Sequence, residues 1–144
     1  MTVTGTRYKG MIDEFLVPAL RRRHIPRRQV WFQQDGATPH TTKGVLARLH
    51  GLFPGKVLSK GGTVPWPPRS PDLSPLDFFL WGQLKATVFA QAPRTLRHLR
   101  SKITKAIKDI SSSTLHKCID NVAFRARHCL RVRGAHLEST LQCP

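Results

Sequence analysis

Residues 30–41 read VWFQQDGATPHT and residues 63–85 read TVPWPPRSPDLSPLDFFLWGQLK. In the first stretch Val30, Trp31 and Phe32 form an apolar run too short for a helix and rich in strand-favouring residues. A buried strand over 29–34 is expected, with Asp35 at its tip and Gly36 behind it. In the second stretch Ser74 followed by Pro75 is a helix start. Leu76, Phe78, Phe79, Leu80, Trp81 and Leu84 make that helix apolar nearly all round, which predicts burial between other elements. Asp77 falls in its first turn. Two carboxylates at the ends of rigid elements, in a chain dominated by Lys and Arg, suggest a metal site that acts on a polyanion.

The charge balance supports such a substrate. The chain has 144 residues, 24 Lys and Arg against 8 Asp and Glu, and a formal charge of +16. That excess exceeds what solubility needs and points to phosphate-rich partners, nucleic acid first. The plainer reading is a set of solvated basic faces. Hydrophobic residues make up 40% of the chain, enough for a core of ordinary size. No apolar run approaches the roughly 20 residues of a membrane-spanning helix, and the N-terminal MTVTGTRYKG has no apolar centre, so an intracellular protein is expected. Cys118, Cys129 and Cys143 are odd in number and form no CxxC pair, which favours reduced thiols. His116, Cys118, His128 and Cys129 match no zinc-finger or ribbon spacing.

Outward from the two motifs, Met11, Ile12, Phe15, Leu16, Ala19 and Leu20 recur at helical spacing within 8–23, with Pro18 interrupting near the end. Arg21, Arg22 and Arg23 stand where a helix C-terminus favours cations, and Arg27 and Arg28 extend the basic turn. With His40 and Arg69 they are the candidate nucleic-acid contacts. Thr38 and Pro39 predict the start of a second helix, carrying Val45, Leu46, Leu49 and Leu52 on one face. Val57 and Leu58 are expected to be a short extended piece, and Thr63 to Trp66 a second strand ended by Pro67 and Pro68. Two further amphipathic helices, over 95–110 and from the serine turn 111–113 to Leu130, predict an antiparallel pair with a basic outer face. Beyond Arg133 the tail is expected to fray. One domain is expected, with 1–92 as its α/β portion and 93–144 as its helical portion.

In two-metal phosphoryl transfer, carboxylates from separate elements hold two divalent ions about 4 Å apart. Magnesium needs few protein carboxylates, because waters and phosphate oxygens complete its shell. Asp35 and Asp77 fit that demand if their elements converge. Simpler roles compete: Asp77 as a helix-start carboxylate, in an S-x-x-D relation to Ser74, and Asp35 as acceptor in an Asp-Gly turn. Asp72 sits in the loop, where a turn role is the default. His40 is a candidate to contact phosphate or a ligand carboxylate, although a histidine at a helix start is more often structural.

WFQQDGATPHTT followed by WPPRSPDLSPLDFFLWGQLK resembles the catalytic domain of the Tc1/mariner superfamily of DDE transposases. The likeness is specific over 30–41 and 63–85 and looser over 4–20 and the helical remainder. It implies a ribonuclease H-like α/β fold, here partial, with two remaining strands and flanking helices followed by a basic helical C-terminal pair. It implies Asp35 as the second catalytic acid and Asp77 as the third, an aspartate as in mariner-like members, both binding Mg²⁺. It also implies DNA as partner, no membrane, a homodimer and a nuclear location. The family's reaction is Mg²⁺-dependent cleavage of DNA at transposon ends and joining of the 3′ hydroxyl to a target. No residue matches the family's first catalytic Asp, and Asp13 and Glu14 lie on a later helix. The expectations are therefore an inactive fragment, an exposed strand edge and apolar face, and marginal stability. The alternatives are a non-catalytic DNA-binding remnant or host-adopted protein, and a translated genomic fossil with no role.

Overall fold

Thr4 opens the chain's first helix by accepting the Arg7 amide on its hydroxyl at 3.4 Å, capping α1, Gly5–Met11. In the computed structural model, which describes residues 2–135 and 137, α1 runs through a π-type turn, Ile12–Leu16, into α2, Val17–Arg22. The wider turn has a local cause. Pro18 has no N–H to offer the Glu14 carbonyl and its ring would crowd it; the Val17 amide reaches back to Ile12 instead. The chain divides into two compact units, Met1–Ser70 and Pro71–Pro144.

In the first unit the helical stretch from α1 to α2 packs beside α3, Lys43–Leu52, and a parallel pair of very short strands, β1 (Phe32–Gln33) and β2 (Val57–Leu58). The buried cluster is Ile12, Val17, Val45, Leu49, Leu52, Phe53 and Val57, with Phe32 stacked on Phe53 at 5.2 Å. Asp13 accepts from Lys9 at 3.0 Å and from Arg48 at 2.6 Å, tying the first helix to α3. Those two donors, Lys9 first, hold its carboxyl below the usual carboxylate range.

Two local expectations shift. The helix expected at Thr38 and Pro39 starts only at Lys43, because residues 37–41 form a turn with His40 N–H donating to Ala37 O. The second strand is 57–58, not 63–66. Pro65, Pro67 and Pro68 deprive the later segment of donors, so Val64 contributes only an isolated bridge to Leu58. That bridge needs Gly62, where an added Cβ would lie 2.5 Å from the Val57 carbonyl oxygen. The sheet is parallel and helix-flanked, an α/β arrangement.

The second unit starts with a 3₁₀ turn, Pro71–Leu73, and a π-type turn, Leu76–Leu80, leading into α4 (Trp81–Phe89). The helices α5 (Leu96–Lys108), capped by the Thr95 hydroxyl, and α6 (Ser112–Arg131), capped by Ser111, follow as the sequence predicts. Their partners differ from the predicted pairing. Leu84 and Val88 of α4 pack on Leu99, Ile103 and Ala106 of α5, while α6 meets the 71–73 turn, where Arg125 donates to Asp72 O at 3.1 Å. Helical period fixes which face is apolar but not which neighbour covers it. In consequence α4 is covered on one face, with Trp81 and Phe89 exposed, and of α6's expected core residues only Cys118 is buried. Lys102, expected on the outer face, instead donates to Val88 O and Gln91 O at the end of α4. The expected fraying beyond Arg133 concerns a tail of which 136 and 138–144, including Cys143, lie outside the described residues.

The expected uncovered face is present in the first unit. Phe32 pairs with β2, its amide donating to Lys56 O just before that strand, whereas the Gln33 amide and carbonyl find no partner among the described residues. Beside that edge, Tyr8, Met11, Ile12, Phe15, Leu16 and Phe32 line an apolar groove of about 420 Å³, with Met11 50% and Phe15 67% exposed. Replacing Met11 and Phe15 by Gln is expected to lower binding of an apolar dye and to reduce aggregation on sizing columns, with little change in secondary structure by circular dichroism. Unchanged aggregation would show that this face is not the adhesive one.

Candidate functional site

The β1 strand and its flanks set the geometry. Val30, Phe32 and Gln34 turn inward, and Trp31 and Asp35 outward, as strand alternation requires. Gln34 continues the apolar face as a polar residue only 6% exposed, so its amide must be satisfied internally. Its Nε2 donates to His40 O and to Ser59 Oγ, both at 2.9 Å, and its Oε1 accepts from Tyr8 Oη at 3.1 Å. One buried amide thus ties together α1, the turn after β1 and the end of β2.

Asp35 sits immediately outside that network. Its Oδ1 accepts the Ala37 amide at 3.0 Å, the Asp-Gly turn foreseen from the sequence, and lies 2.5 Å from His40 Nδ1. A carboxylate only accepts, so Nδ1 is the donor in this contact. The His40 ring in turn lies 4.2 Å from the Tyr8 ring. Oδ2 makes no hydrogen bond among the described residues, and the side chain is 52% exposed. A carboxylate fixed through one oxygen and open at the other is suited to holding a cation. Burial first, and then the charge of Asp35, push the Tyr8 phenol up to about 12.

Asp77 lies in the second unit, exposed, in the first turn of its helix. The Ser74 carbonyl accepts the amides of Asp77 and Phe78 at 2.9 and 3.1 Å and so begins that helix at the Ser-Pro step. Asp72 has a structural role, its Oδ2 accepting the Leu137 amide at 3.0 Å. No group of three or more His, Cys, Asp or Glu close enough to hold a metal ion occurs among the described residues. Arg21, Arg22, Arg23, Arg27, Arg28 and Arg69 are all exposed, and none pairs with an acid among the described residues.

The motifs around both acids have a counterpart among known proteins. The chain is 31% identical over 134 residues to the Transposable element Tc3 transposase of Caenorhabditis elegans. It is related to the Tc1/mariner transposases. The match covers 92% of this chain and 38% of that relative, so this chain spans well under half of the transposase it resembles. No family model matches it. Among the described residues, no helix of this Tc1/mariner relative is long and apolar enough to cross a membrane.

Tyr8, Gln34 and Ser59 were not singled out from the sequence. Only the alternation Val30, Phe32, Gln34 hints at the second, because a Gln continuing an inward face needs partners. Substituting Gln34 by Leu leaves the Tyr8 hydroxyl, the His40 carbonyl and the Ser59 hydroxyl without it and is expected to cost about 2–3 kcal/mol in urea unfolding. Tyr8 is the chain's one tyrosine, so tyrosinate absorbance reports it alone. Its midpoint is expected near 12 in the folded protein, against about 10 when unfolded. This folded-state rise stabilises the protein below pH 10, and the contribution is lost as pH climbs toward 12. Asp35→Asn should lower the midpoint only slightly, since burial is the larger cause; a midpoint at 10 in the folded chain contradicts the burial.

Proposed function

We propose that this chain is a carboxyl-terminal part of a DDE-type transposase catalytic region, its α/β unit being a piece of a ribonuclease H-like domain and its partner DNA. Asp35 and Asp77 are the second and third acids of the triad and the residues that would hold Mg²⁺. The observation that carries this reading is the Asp35 carboxylate at the strand end, with Oδ1 fixed by the Ala37 amide and His40 and Oδ2 open. The transposase relative and the place of Asp77 in a helix's first turn support it. When bound, magnesium would supply charge stabilisation for DNA phosphodiester cleavage and strand joining. His40 orients the carboxylate, and the unpaired arginines neutralise the phosphate backbone.

This chain alone is expected to be catalytically silent. The first acid has no candidate here, since Asp13 is engaged by Lys9 and Arg48. A homodimer and a nuclear location are part of the same proposal. A second reading, non-catalytic DNA binding, needs only the exposed arginines, none of which pairs with an acid among the described residues.

Nicking of supercoiled plasmid in Mg²⁺, with Asp35→Asn beside the parent, separates the two. The expected result is DNA binding that weakens steeply with log salt, without nicking. Five phosphate contacts would give a slope of about −4 to −5. Weak Mn²⁺ binding, reduced by Asp35→Asn and by Asp77→Asn separately, supports the catalytic ancestry; Mn²⁺ binding indifferent to both leaves only the second reading. Robust nicking abolished by Asp35→Asn overturns the inactivity, and salt-independent binding overturns DNA as the partner.

A further inference from the structure

The carboxylate end of β1 is absorbed by the function above; the opposite end is not. Trp31, at the other end of the strand, is 55% exposed, although a large indole is a costly residue to leave in water. The Lys56 ammonium lies 5.8 Å from its ring centroid. The Phe32 amide donates to Lys56 O at 2.9 Å, so the backbone fixes the two residues side by side. Close by in the chain, Pro26, Arg27, Arg28, Gly51, Leu52 and Pro54 line an open cleft of about 430 Å³. Arg27 and Arg28 begin the 3₁₀ turn that delivers the chain to Trp31, with the Val30 amide donating to Arg27 O at 3.1 Å.

We propose that Trp31, Lys56 and the Arg27–Arg28 turn form a second nucleic-acid contact, in which the indole stacks an unpaired base and the cations hold the flanking phosphates. An aromatic face beside a cation, a few residues along the chain from two arginines, suits single strands, because every base has a π-face to stack and every nucleotide a phosphate. The same surroundings disfavour burial under protein. An apolar partner covering Trp31 would desolvate Lys56 without compensation, and Lys56 pairs with no acid among the described residues. Trp31 and Asp35 lie on the same side of the strand, four residues apart, about 13 Å of extended chain. A strand whose base is held at Trp31 can therefore run along that face toward the carboxylate. The contact rests on DNA being the partner, but not on the chain being catalytic.

The test uses the full 144-residue chain, a 12-nucleotide oligothymidine and a duplex of equal length. Trp31→Ala is expected to weaken single-strand binding about tenfold by anisotropy, to leave duplex binding within about threefold and to keep the salt slope. Arg27→Ala with Arg28→Ala should weaken both and reduce the slope by about 2. With Trp66→Phe and Trp81→Phe leaving Trp31 as the sole indole, oligothymidine should quench its emission and the duplex should not. Equal losses on single strand and duplex for Trp31→Ala, or no quenching, would overturn the contact while leaving DNA binding intact. Failure of the parent chain to bind either DNA overturns both this contact and DNA as the partner.

Discussion

The first unit depends on satisfying one buried amide. Gln34 directly follows β1 in an inward position that Val30 and Phe32 otherwise make apolar, and a bare amide there would cost more than a hydrogen bond returns. Its three partners come from α1, from the turn after β1 and from the end of β2. Apolar packing of Val45, Leu49, Phe53 and Val57 brings these elements together without fixing their register. The amide does fix it, because hydrogen bonds are directional where hydrophobic contact is not. The turn that presents Asp35 is held at both ends by this arrangement, through His40 O on Gln34 and His40 Nδ1 on Asp35.

Much of this was legible in the sequence where the signal is local. The end of an apolar run followed by Asp-Gly placed Asp35 at a strand tip, and Ser-Pro placed Asp77 in a first turn. Thr95 and Ser111 stand next to the starts of α5 and α6, where side-chain caps belong. Legibility failed where tertiary neighbours decide. The Thr38-Pro39 start lost to a turn whose carbonyls are committed to Gln34 and His40, and the proline-rich 63–66 segment lost its strand to 57–58. The Tyr8–Gln34 bond joins residues 26 apart, and nothing in the spacing of either announces the other.

The two π-type turns show how a covalent constraint reaches function. Pro18 and the Ser74-Pro75 step each lie beside a widened turn. In the first, Asp13 accepts from Arg48 and anchors the helical stretch to α3. In the second, Asp77 is carried in the turn itself. Acids in similar local settings thus end with different duties, one engaged by two cations, the other proposed to hold a metal.

Tyr8 belongs to two surfaces at once. One side of it walls the apolar groove beside the open edge of β1, and its hydroxyl and ring support Gln34 and His40 behind Asp35. The groove and the carboxylate are therefore not independent. Whatever lies in the groove sets how much water reaches the phenol, and with it the local dielectric in which the Asp35 turn is held.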